Sequence, residues 1–170
     1  MSAGDHLTVL DGRFWRMLAV AWDDDLLGPA RAREGRFHRN GQRAIYLSAT
    51  PAGCATAIRR YLWPGDGDRA IYPLHVRSNR IVDLRDPVAT EYFAIDTSDR
   101  AAEWQADRAA GRPAPTWAIA DRVRALDLDG MLYASRSDPS LTHLTLLRWN
   151  APGRAAVEPD GAALPWQPDA

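Results

Sequence analysis

The sequence predicts an α+β domain, because its strand-like and helix-like segments do not alternate in a regular order. Two helices stand out by apolar side chains at helical spacing, over residues 51–62 and 116–128. The stretch 86–110 also has a helical pattern. Short apolar and β-branched runs predict six strands, at residues 13–20, 44–49, 70–76, 80–84, 130–134 and 143–149. Six strands of this length suggest more than one small sheet.

The first helix has a clear start in the sequence. Thr50 is a good N-cap, and Pro51 fits the first helical position, where its missing N–H leaves no bond unmade. Cys54 falls on the apolar face of this helix. We therefore expect Cys54 to be a packed side chain rather than a reactive thiol.

The length and the end of the chain predict a single domain with a tail. A chain of 170 residues with 46% hydrophobic residues is long enough to bury one core. Residues 151–170 contain four prolines and show no helical or strand period. We therefore expect a domain over residues 1–150 and a proline-rich C-terminal tail over residues 151–170.

The composition narrows the available chemistry. The formal net charge is -1, so no overall field attracts nucleic acid or an anionic membrane, and an anion must be bound by a local cluster. All 21 basic residues are arginines, which excludes a lysine Schiff base and leaves phosphates to guanidinium groups. One cysteine permits no intrachain disulfide, and the four histidines lack metal-ligand spacing. Without a signal-peptide pattern or a membrane-length apolar run, we expect a soluble cytoplasmic protein with no metal.

The segment 35–48 is the strongest candidate for a binding site. Arg36 and Arg39 are three residues apart beside Asn40 and Gly41, so a loop here offers two guanidinium groups and backbone donors to one anion. Guanidinium groups bind a diphosphate through paired hydrogen bonds. A solvated basic loop explains the same residues, and both interpretations stay open.

Two strands add polar and aromatic candidates. Tyr46 and Ser48 are two residues apart in a predicted strand, so their side chains point to the same face. Tyr133 ends another strand, and Ser135 and Arg136 begin the polar loop that follows it. An ordinary core tyrosine and an ordinary strand exit are the alternatives.

The sequence resembles the RES-domain family, the toxin half of bacterial RES/Xre toxin–antitoxin pairs. The resemblance is carried by an ordered set of segments that together cover roughly residues 12–150: "FWR" (14–16), "GRFHRNG" (35–41), "AIYLSATP" (44–51), "IVDLRDP" (81–87) and "DGMLYASR" (129–136). It implies an ADP-ribosyltransferase-like fold, in which two small β-sheets with flanking helices form a cleft for NAD. The set is more specific than any single motif in it.

The resemblance also implies roles for individual residues. Arg36 matches the family's arginine, Tyr46 its tyrosine and Ser135 its serine, so Tyr46 and Ser135 are the expected catalytic side chains. The expected NAD-binding residues are Arg36, Phe37, Arg39, Tyr46 and Ser48. The family's glutamate is missing: by our placement its position is Ala57, or Ala52 in another register.

The missing acid leaves alternatives open. A carboxylate stabilises the positive charge that develops on ribose when the nicotinamide bond breaks. The alanine therefore marks a weakened member, leaves the role to another acid such as Glu34 or Glu91, or is an introduced replacement. The implied activity is cleavage of the nicotinamide–ribose bond of NAD, with transfer to water, phosphate or a protein. The alternative is a catalytically silent binding module that keeps the antitoxin surface.

The resemblance implies partners as well. The first is an Xre-like helix-turn-helix antitoxin, and the second is a modified protein target if the acceptor is a protein. The composition adds neither a membrane nor a direct nucleic-acid partner, because no long basic stripe is present.

Overall fold

The computed structural model describes residues 2–168, which fold into seven strands and four α-helices. The strands are β1 (Thr8–Ala19), β2 (Ile45–Ser48), β3 (Arg69–Asp83), β4 (Gly130–Ala134), β5 (Thr142–Leu146), β6 (Ala156–Pro159) and β7 (Leu164–Trp166). The helices are α1 (Pro51–Ile58), α2 (Pro87–Tyr92), α3 (Trp104–Ala109) and α4 (Thr116–Ala125). The predicted α+β class is confirmed.

The strands form one hydrogen-bonded sheet rather than separate small sheets. β1 pairs with β3 along most of its length, and β3 continues to a short parallel pairing with β4. β4 pairs with β5, β5 with β2, and Ser48 of β2 lies opposite Trp15 of β1, so these five strands form a closed circuit. The expectation of more than one sheet is therefore wrong. The predicted strands 70–76 and 80–84 are a single strand, β3, which pairs with β1 and with β4 and so joins all the strands into one sheet.

The helices are shorter than predicted, for identifiable reasons. α1 begins as expected, with Thr50 Oγ1 accepting a 3.1 Å hydrogen bond from the Gly53 N–H, but it ends at Ile58 in a 3-10 turn over Arg59–Tyr61. The stretch 86–110 contains two short helices, α2 and α3, because Ala94 takes a positive φ and stops the first one. α4 ends before residue 128, where Asp127 also takes a positive φ.

The C-terminal segment is part of the sheet. β6 and β7 both pair with β3, with Val157 opposite Val76 and Leu164 opposite Ile71. The expectation that residues 151–170 hold no strand is therefore wrong for Ala156–Pro159 and Leu164–Trp166. Short edge strands accept proline, and they need no alternating pattern when they add to a preformed neighbour. Positions 169 and 170 of the predicted tail lie outside the described residues.

Two apolar clusters hold the sheet and its helices together. One lies within the closed circuit and includes Leu74, Leu144 and Leu146, all fully buried. The other packs α2 and α4 against β3 and β4, and Phe37 of the loop before β2 belongs to it. The second cluster fixes this loop on the surface of α4. Among residues 2–168, none of the helices has both the length and the apolar character needed to cross a lipid bilayer.

Candidate active site

A cavity of about 340 Å³ opens beside β1 and β2, within the size range of small-molecule sites. Its walls come from β1, β2, α1, the loop 30–38, the start of α3 and the polar turn after β4. Of residues 2–168, the charged side chains that line it are five arginines and one glutamate: Arg16, Arg31, Arg36, Arg60, Arg136 and Glu34. This excess of positive charge favours an anionic ligand.

Helix α4 holds the loop that carries Arg36. Thr116 Oγ1 donates to the Arg36 carbonyl oxygen, and Trp117 Nε1 donates to that of Gly35 at 2.8 Å. Arg124 donates to the Phe37 carbonyl oxygen at 2.9 Å. Thr116 and Trp117 are buried, and the Trp117 bond is shielded from water. Three successive carbonyl groups are therefore fixed before any ligand binds.

Arg36 presents a guanidinium group that has no carboxylate partner among residues 2–168. Its guanidinium carbon lies 5.0 Å from the ring centres of both Phe37 and Tyr133, and one amino group donates to the Arg100 carbonyl oxygen. Its Nε has no hydrogen-bond partner among the described residues. Burial lowers the pKa of Arg36, as expected when charge leaves water without a counterion. An anion that binds beside Arg36 would therefore stabilise its buried positive charge.

Tyr46 is held by its hydroxyl group. The Phe37 N–H donates to Tyr46 Oη at 3.0 Å, and His38 Nδ1 lies 2.8 Å from the same oxygen. His38 is 2% exposed, and its Nε2 lies 2.9 Å from the Ala32 carbonyl oxygen. Burial raises the pKa of Tyr46, so the hydroxyl keeps its proton at neutral pH.

Ser48 forms a buried pair with His143. Its Oγ lies 2.7 Å from His143 Nδ1, as the direct opposition of these residues in β2 and β5 requires. Burial, followed by the positive charge of Arg36, lowers the pKa of His143 to about 4. His143 is therefore a neutral imidazole near pH 7. The Ser48 hydroxyl is hydrogen-bonded to this imidazole.

Ser135 lines the cavity with a largely unused hydroxyl group. Its backbone N–H donates to the Leu141 carbonyl oxygen at 2.8 Å, and its Oγ accepts a long 3.4 Å bond from the Asp138 N–H. Tyr133, two residues earlier, is fixed by a 2.8 Å bond between its hydroxyl and Thr145 Oγ1. Ser135 can therefore still donate its hydroxyl proton to a ligand.

Two of the predicted binding residues do not line the cavity. Phe37 is 1% exposed and packs in the core, so only its N–H reaches the site, through Tyr46. Arg39 pairs with Asp121 and lies 4.9 Å above the Trp117 ring. The structure brings together Arg36, Tyr46, Ser48, Ala57 and Ser135.

A short segment, residues 100–103, lies across the cavity arginines; we call it the strap. Its Arg100 and Ala102 carbonyl oxygens accept from Arg36 and, at 3.2 Å, from Arg136. The Glu103 carboxylate lies 3.3 Å from Arg60 and 3.4 Å from Arg136. The strap therefore satisfies three of the arginines that an anionic ligand would use.

The sequence of the whole domain matches a known family. The family model described as the RES domain matches residues 13–169. The chain belongs to the RES-domain family. Its fold is similar to a chain in the crystal structure of the M. tuberculosis MbcT–MbcA toxin–antitoxin complex, with a TM-score of 0.64 and 16% sequence identity over 98% of this chain and 91% of that chain. No curated protein matches the sequence.

In this RES domain, the expected position of the family glutamate faces the cavity. Ala57 is exposed on the side of α1 that lines the cavity, whereas Ala52 does not line it. Glu34 does line it, but Arg108 binds both of its carboxylate oxygens, at 2.9 and 3.1 Å. This hydrogen bonding lowers the pKa of Glu34. Glu91 is exposed on α2, away from the cavity. Within residues 2–168, the RES-domain cavity therefore has no unpaired carboxylate in its wall.

Sequence reasoning did not select three residues that line the RES-domain cavity or pair with its arginines. His143 is found only when the register of β2 and β5 is known, because 95 residues separate it from Ser48. Glu103 belongs to the stretch 86–110, whose helical pattern gave no sign of the non-helical strap. His38 stood beside Arg36 in the sequence, but nothing there showed that both ring nitrogens are engaged. The described residues hold no group of three or more His, Cys, Asp or Glu side chains placed to bind a metal ion.

Proposed function

We propose that this RES domain is a cytoplasmic toxin that binds NAD in the arginine-lined cavity and slowly cleaves its nicotinamide–ribose bond. The observation that carries the proposal is the site of Arg36, whose guanidinium lies beside two aromatic rings and whose Nε has no partner in the described part of the chain. Arg36, Tyr46 and Ser135 are the residues that match the family's site, and all three line one cavity. Among residues 2–168, ion pairs join Arg31, Arg60 and Arg136 to carboxylates, but none joins Arg36.

The diphosphate of NAD is the group that fits the arginines. Arg36 would bind it first, and Arg60 and Arg136 would join once Glu103 releases them. A hydrogen bond to a charged group contributes about 1.5–3 kcal/mol when well formed. Arg16 is not available for this role, because it donates to the Gly28 carbonyl oxygen at 2.8 Å and burial lowers its pKa to about 10.

The nicotinamide riboside would lie toward Tyr46 and Ser135. Tyr46 is fixed by the Phe37 N–H and His38, so its ring can orient the sugar and the nicotinamide without reorganisation. Ser135 has a hydroxyl proton to donate to the ribose or to the carboxamide. The Ser48–His143 pair forms the adjoining wall and remains uncharged at neutral pH.

The reaction breaks the bond between C1′ of ribose and the ring nitrogen of nicotinamide. The electron pair of this bond leaves with nicotinamide, which becomes neutral, while an oxygen of the acceptor bonds to C1′ and loses a proton. Positive charge develops on the ribose, and one missing electrostatic group in such a site commonly lowers the rate by about 10²–10³. Because Glu34 is held by Arg108, we propose slow turnover for this chain.

A second candidate is a catalytically silent RES-fold module that keeps its antitoxin surface. The specific observation in its favour is the same lack of an unpaired carboxylate in the described cavity wall. Such a module would bind NAD, or only its partner, without consuming NAD. The two candidates differ in turnover, not in fold.

We propose an Xre-like helix-turn-helix antitoxin as the partner of this chain. The support is membership of the RES family and the similarity to a chain in a complex described as toxin–antitoxin. Direct binding to nucleic acid is not part of the proposal, because the net charge of the chain is -1.

The test is to incubate the purified protein with NAD and to follow the products by mass spectrometry. Free ADP-ribose identifies water as the acceptor, a phosphorylated product identifies phosphate, and a mass increase on a protein identifies transfer to protein. Calorimetric titration measures NAD binding in parallel. Binding without NAD loss supports a silent module that keeps the NAD site. A folded protein that neither binds nor consumes NAD contradicts the NAD-cleaving toxin and leaves a module that binds only its antitoxin.

A further inference from the structure

The contacts of His38 define which of its ring nitrogens carries the proton. Nε2 lies 2.9 Å from the Ala32 carbonyl oxygen, and a carbonyl oxygen can only accept, so Nε2 holds the hydrogen. In a neutral imidazole the other nitrogen then has a lone pair. This nitrogen, Nδ1, lies 2.8 Å from Tyr46 Oη. The Tyr46 hydroxyl therefore donates its proton to His38.

The Tyr46 hydroxyl keeps one hydrogen-bonding position that its two protein contacts do not use. One lone pair of Oη accepts the Phe37 N–H at 3.0 Å, and the proton is directed to His38. One lone pair is left, and Tyr46 and His38 both line the cavity. In this state Tyr46 can accept a proton from a bound group but has none to donate to it.

The backbone is shaped around this pair. A Cβ atom at Gly35 would lie 2.6 Å from His38 Nδ1 and 2.7 Å from Tyr46 Oη, closer than side-chain carbons approach such atoms. Gly35 also donates its N–H to the His38 carbonyl oxygen at 3.0 Å, and Trp117 holds the Gly35 carbonyl oxygen. Glycine thus permits a contact that any other residue would push apart.

Burial and the neighbouring charge of Arg124 favour the neutral form of His38 at physiological pH. Burial is the main cause that lowers its pKa below 6.5, and the charge of Arg124 on α4 acts in the same direction. The bond to the Ala32 carbonyl and the charge of Glu34 oppose this effect. Glu34 is itself paired with Arg108, which limits its influence.

We infer that His38 and Tyr46 form a proton relay that deprotonates the oxygen acceptor, in a cavity whose described wall holds no unpaired carboxylate. The inference rests on the proposed cleavage of NAD. As the acceptor oxygen bonds to C1′ and the electron pair of the C1′–nitrogen bond leaves with nicotinamide, the acceptor's proton moves to Tyr46 Oη. The Tyr46 proton moves at the same time to His38 Nδ1. His38 becomes an imidazolium that keeps its bond to Ala32 and later releases the proton to water.

The relay does not require Tyr46 to become a phenolate. Burial raises that pKa, so an ionised tyrosine would be a costly intermediate, whereas a paired transfer never forms it. The acceptor must carry an O–H group, as water, a phosphate monoanion or an alcohol does. The relay acts on the proton of the acceptor and leaves the binding of the diphosphate to the arginines. Tyr46 is the catalytic residue in this scheme, and His38 is a positioning residue that acts through it.

The kinetic test compares His38→Asn and Tyr46→Phe with the parent protein. Asparagine keeps an oxygen acceptor for the Tyr46 hydroxyl but cannot take up a proton near neutral pH. We expect both variants to bind NAD within about twofold of the parent and to lose at least about tenfold in kcat. In the parent, kcat should fall about tenfold per pH unit below the His38 pKa, and this acid limb should be absent in His38→Asn.

The control is His75→Asn, which removes a histidine of β3 that pairs with Asp11 outside the cavity and should change neither kcat nor its pH dependence. A folded His38→Asn protein that keeps the parent's kcat and acid limb overturns the relay. A parent protein that binds NAD but consumes none overturns the cleavage proposal instead.

A spectroscopic measurement tests the relay without turnover. Nitrogen-15 NMR of the ligand-free protein at pH 7 should show His38 with a protonated Nε2 and an unprotonated Nδ1. A protonated Nδ1 overturns the relay whether or not NAD is consumed. The two measurements therefore separate failure of the relay from failure of the proposed function.

Discussion

Arg36 lies against the face of Tyr133, with its guanidinium carbon 5.0 Å from the ring centre. Tyr133 is fixed from behind by its 2.8 Å bond to Thr145 Oγ1, so the ring is a rigid surface for the cation. An aromatic face compensates only part of the cost of removing a guanidinium from water. The remaining need for an anion is what makes Arg36 the centre of the proposed site.

Replacing Arg36 with alanine should weaken NAD binding. One charge-assisted phosphate contact contributes about 1.5–3 kcal/mol, which corresponds to roughly 10- to 150-fold in Kd. Calorimetric titration measures the change, and circular dichroism checks the fold. Arg77→Ala is the matched control, because Arg77 is exposed on β3 and makes only a 3.7 Å pair with Glu158. Unchanged affinity in a folded Arg36→Ala protein would remove Arg36 from the site.

Neutralising the strap should have the opposite effect. The Glu103 carboxylate holds Arg60 and Arg136, and the diphosphate must displace it from both. Exposed ion pairs contribute about 0–1 kcal/mol each, so the loss of both pairs in Glu103→Gln should tighten NAD binding by up to roughly 30-fold. Glu158→Gln, which removes a carboxylate on β6 away from the cavity, should leave the affinity unchanged. Weaker binding in Glu103→Gln would mean that the strap positions the arginines rather than competes for them.

The elements that were predictable from the sequence are those whose signals are local. Thr50 and Pro51 mark the start of α1 by their own chemistry, and the structure confirms it. The C-terminal strands were not predictable, because β6 and β7 are specified by the open edge of β3 rather than by a pattern of their own. β3 itself read as two strands, since the polar residues 77–80 interrupt its apolar pattern while its backbone pairing continues.

The same distinction holds for the candidate site. Arg36, Tyr46 and Ser135 could be selected from short segments, and the structure brings them to one cavity. Other contacts of the cavity join distant parts of the chain: His143 is 95 residues from Ser48, and Glu103 is 43 residues from Arg60. A sequence shows such pairs only after the register of the sheet is known. Arg39 was predicted to bind the ligand because it lies close to Arg36 in the sequence. In the structure it pairs with Asp121 and lies over the Trp117 ring instead.

Adding a methyl group at Gly35 should destabilise the protein and separate Tyr46 from His38. The added carbon would lie within 2.7 Å of both side chains, and overpacking of this kind costs about 1–3 kcal/mol. Thermal unfolding of Gly35→Ala measures the loss. Gly12→Ala is the control, because a Cβ at Gly12 on β1 meets no atom within 4 Å. Equal melting temperatures for the two variants would contradict the tight packing inferred at Gly35.

A helix-turn-helix antitoxin should cover the mouth of the cavity, because a toxin of this family must be silenced in its own cell. Co-expression with the neighbouring gene should give a complex that copurifies. NAD titrated into this complex should bind more weakly than to the free chain, by calorimetry. If the partner binds at a face remote from Arg36 and Ser135 and NAD affinity is unchanged, inhibition by covering the site is wrong.

Placing a glutamate on α1 tests whether the family's carboxylate is the group that limits catalysis in this cavity. Ala57 and Ala52 are both exposed on the same helix, but only Ala57 lines the cavity. A glutamate at position 57 would face the positive charge that develops on ribose, with Arg60 one turn away to limit its mobility.

Ala57→Glu should therefore raise NAD turnover at least about tenfold, which is about 1.4 kcal/mol in the barrier. It should also make the protein inhibit growth when the antitoxin is absent. Ala52→Glu adds the same charge to the same helix and should leave turnover at the parent level, so mass spectrometry of NAD products compares the two directly. An equal gain in both variants would show that the added charge, and not its position, is responsible. No gain in a folded Ala57→Glu protein that binds NAD would favour the silent module, because the group that the cavity lacks would then be present without effect.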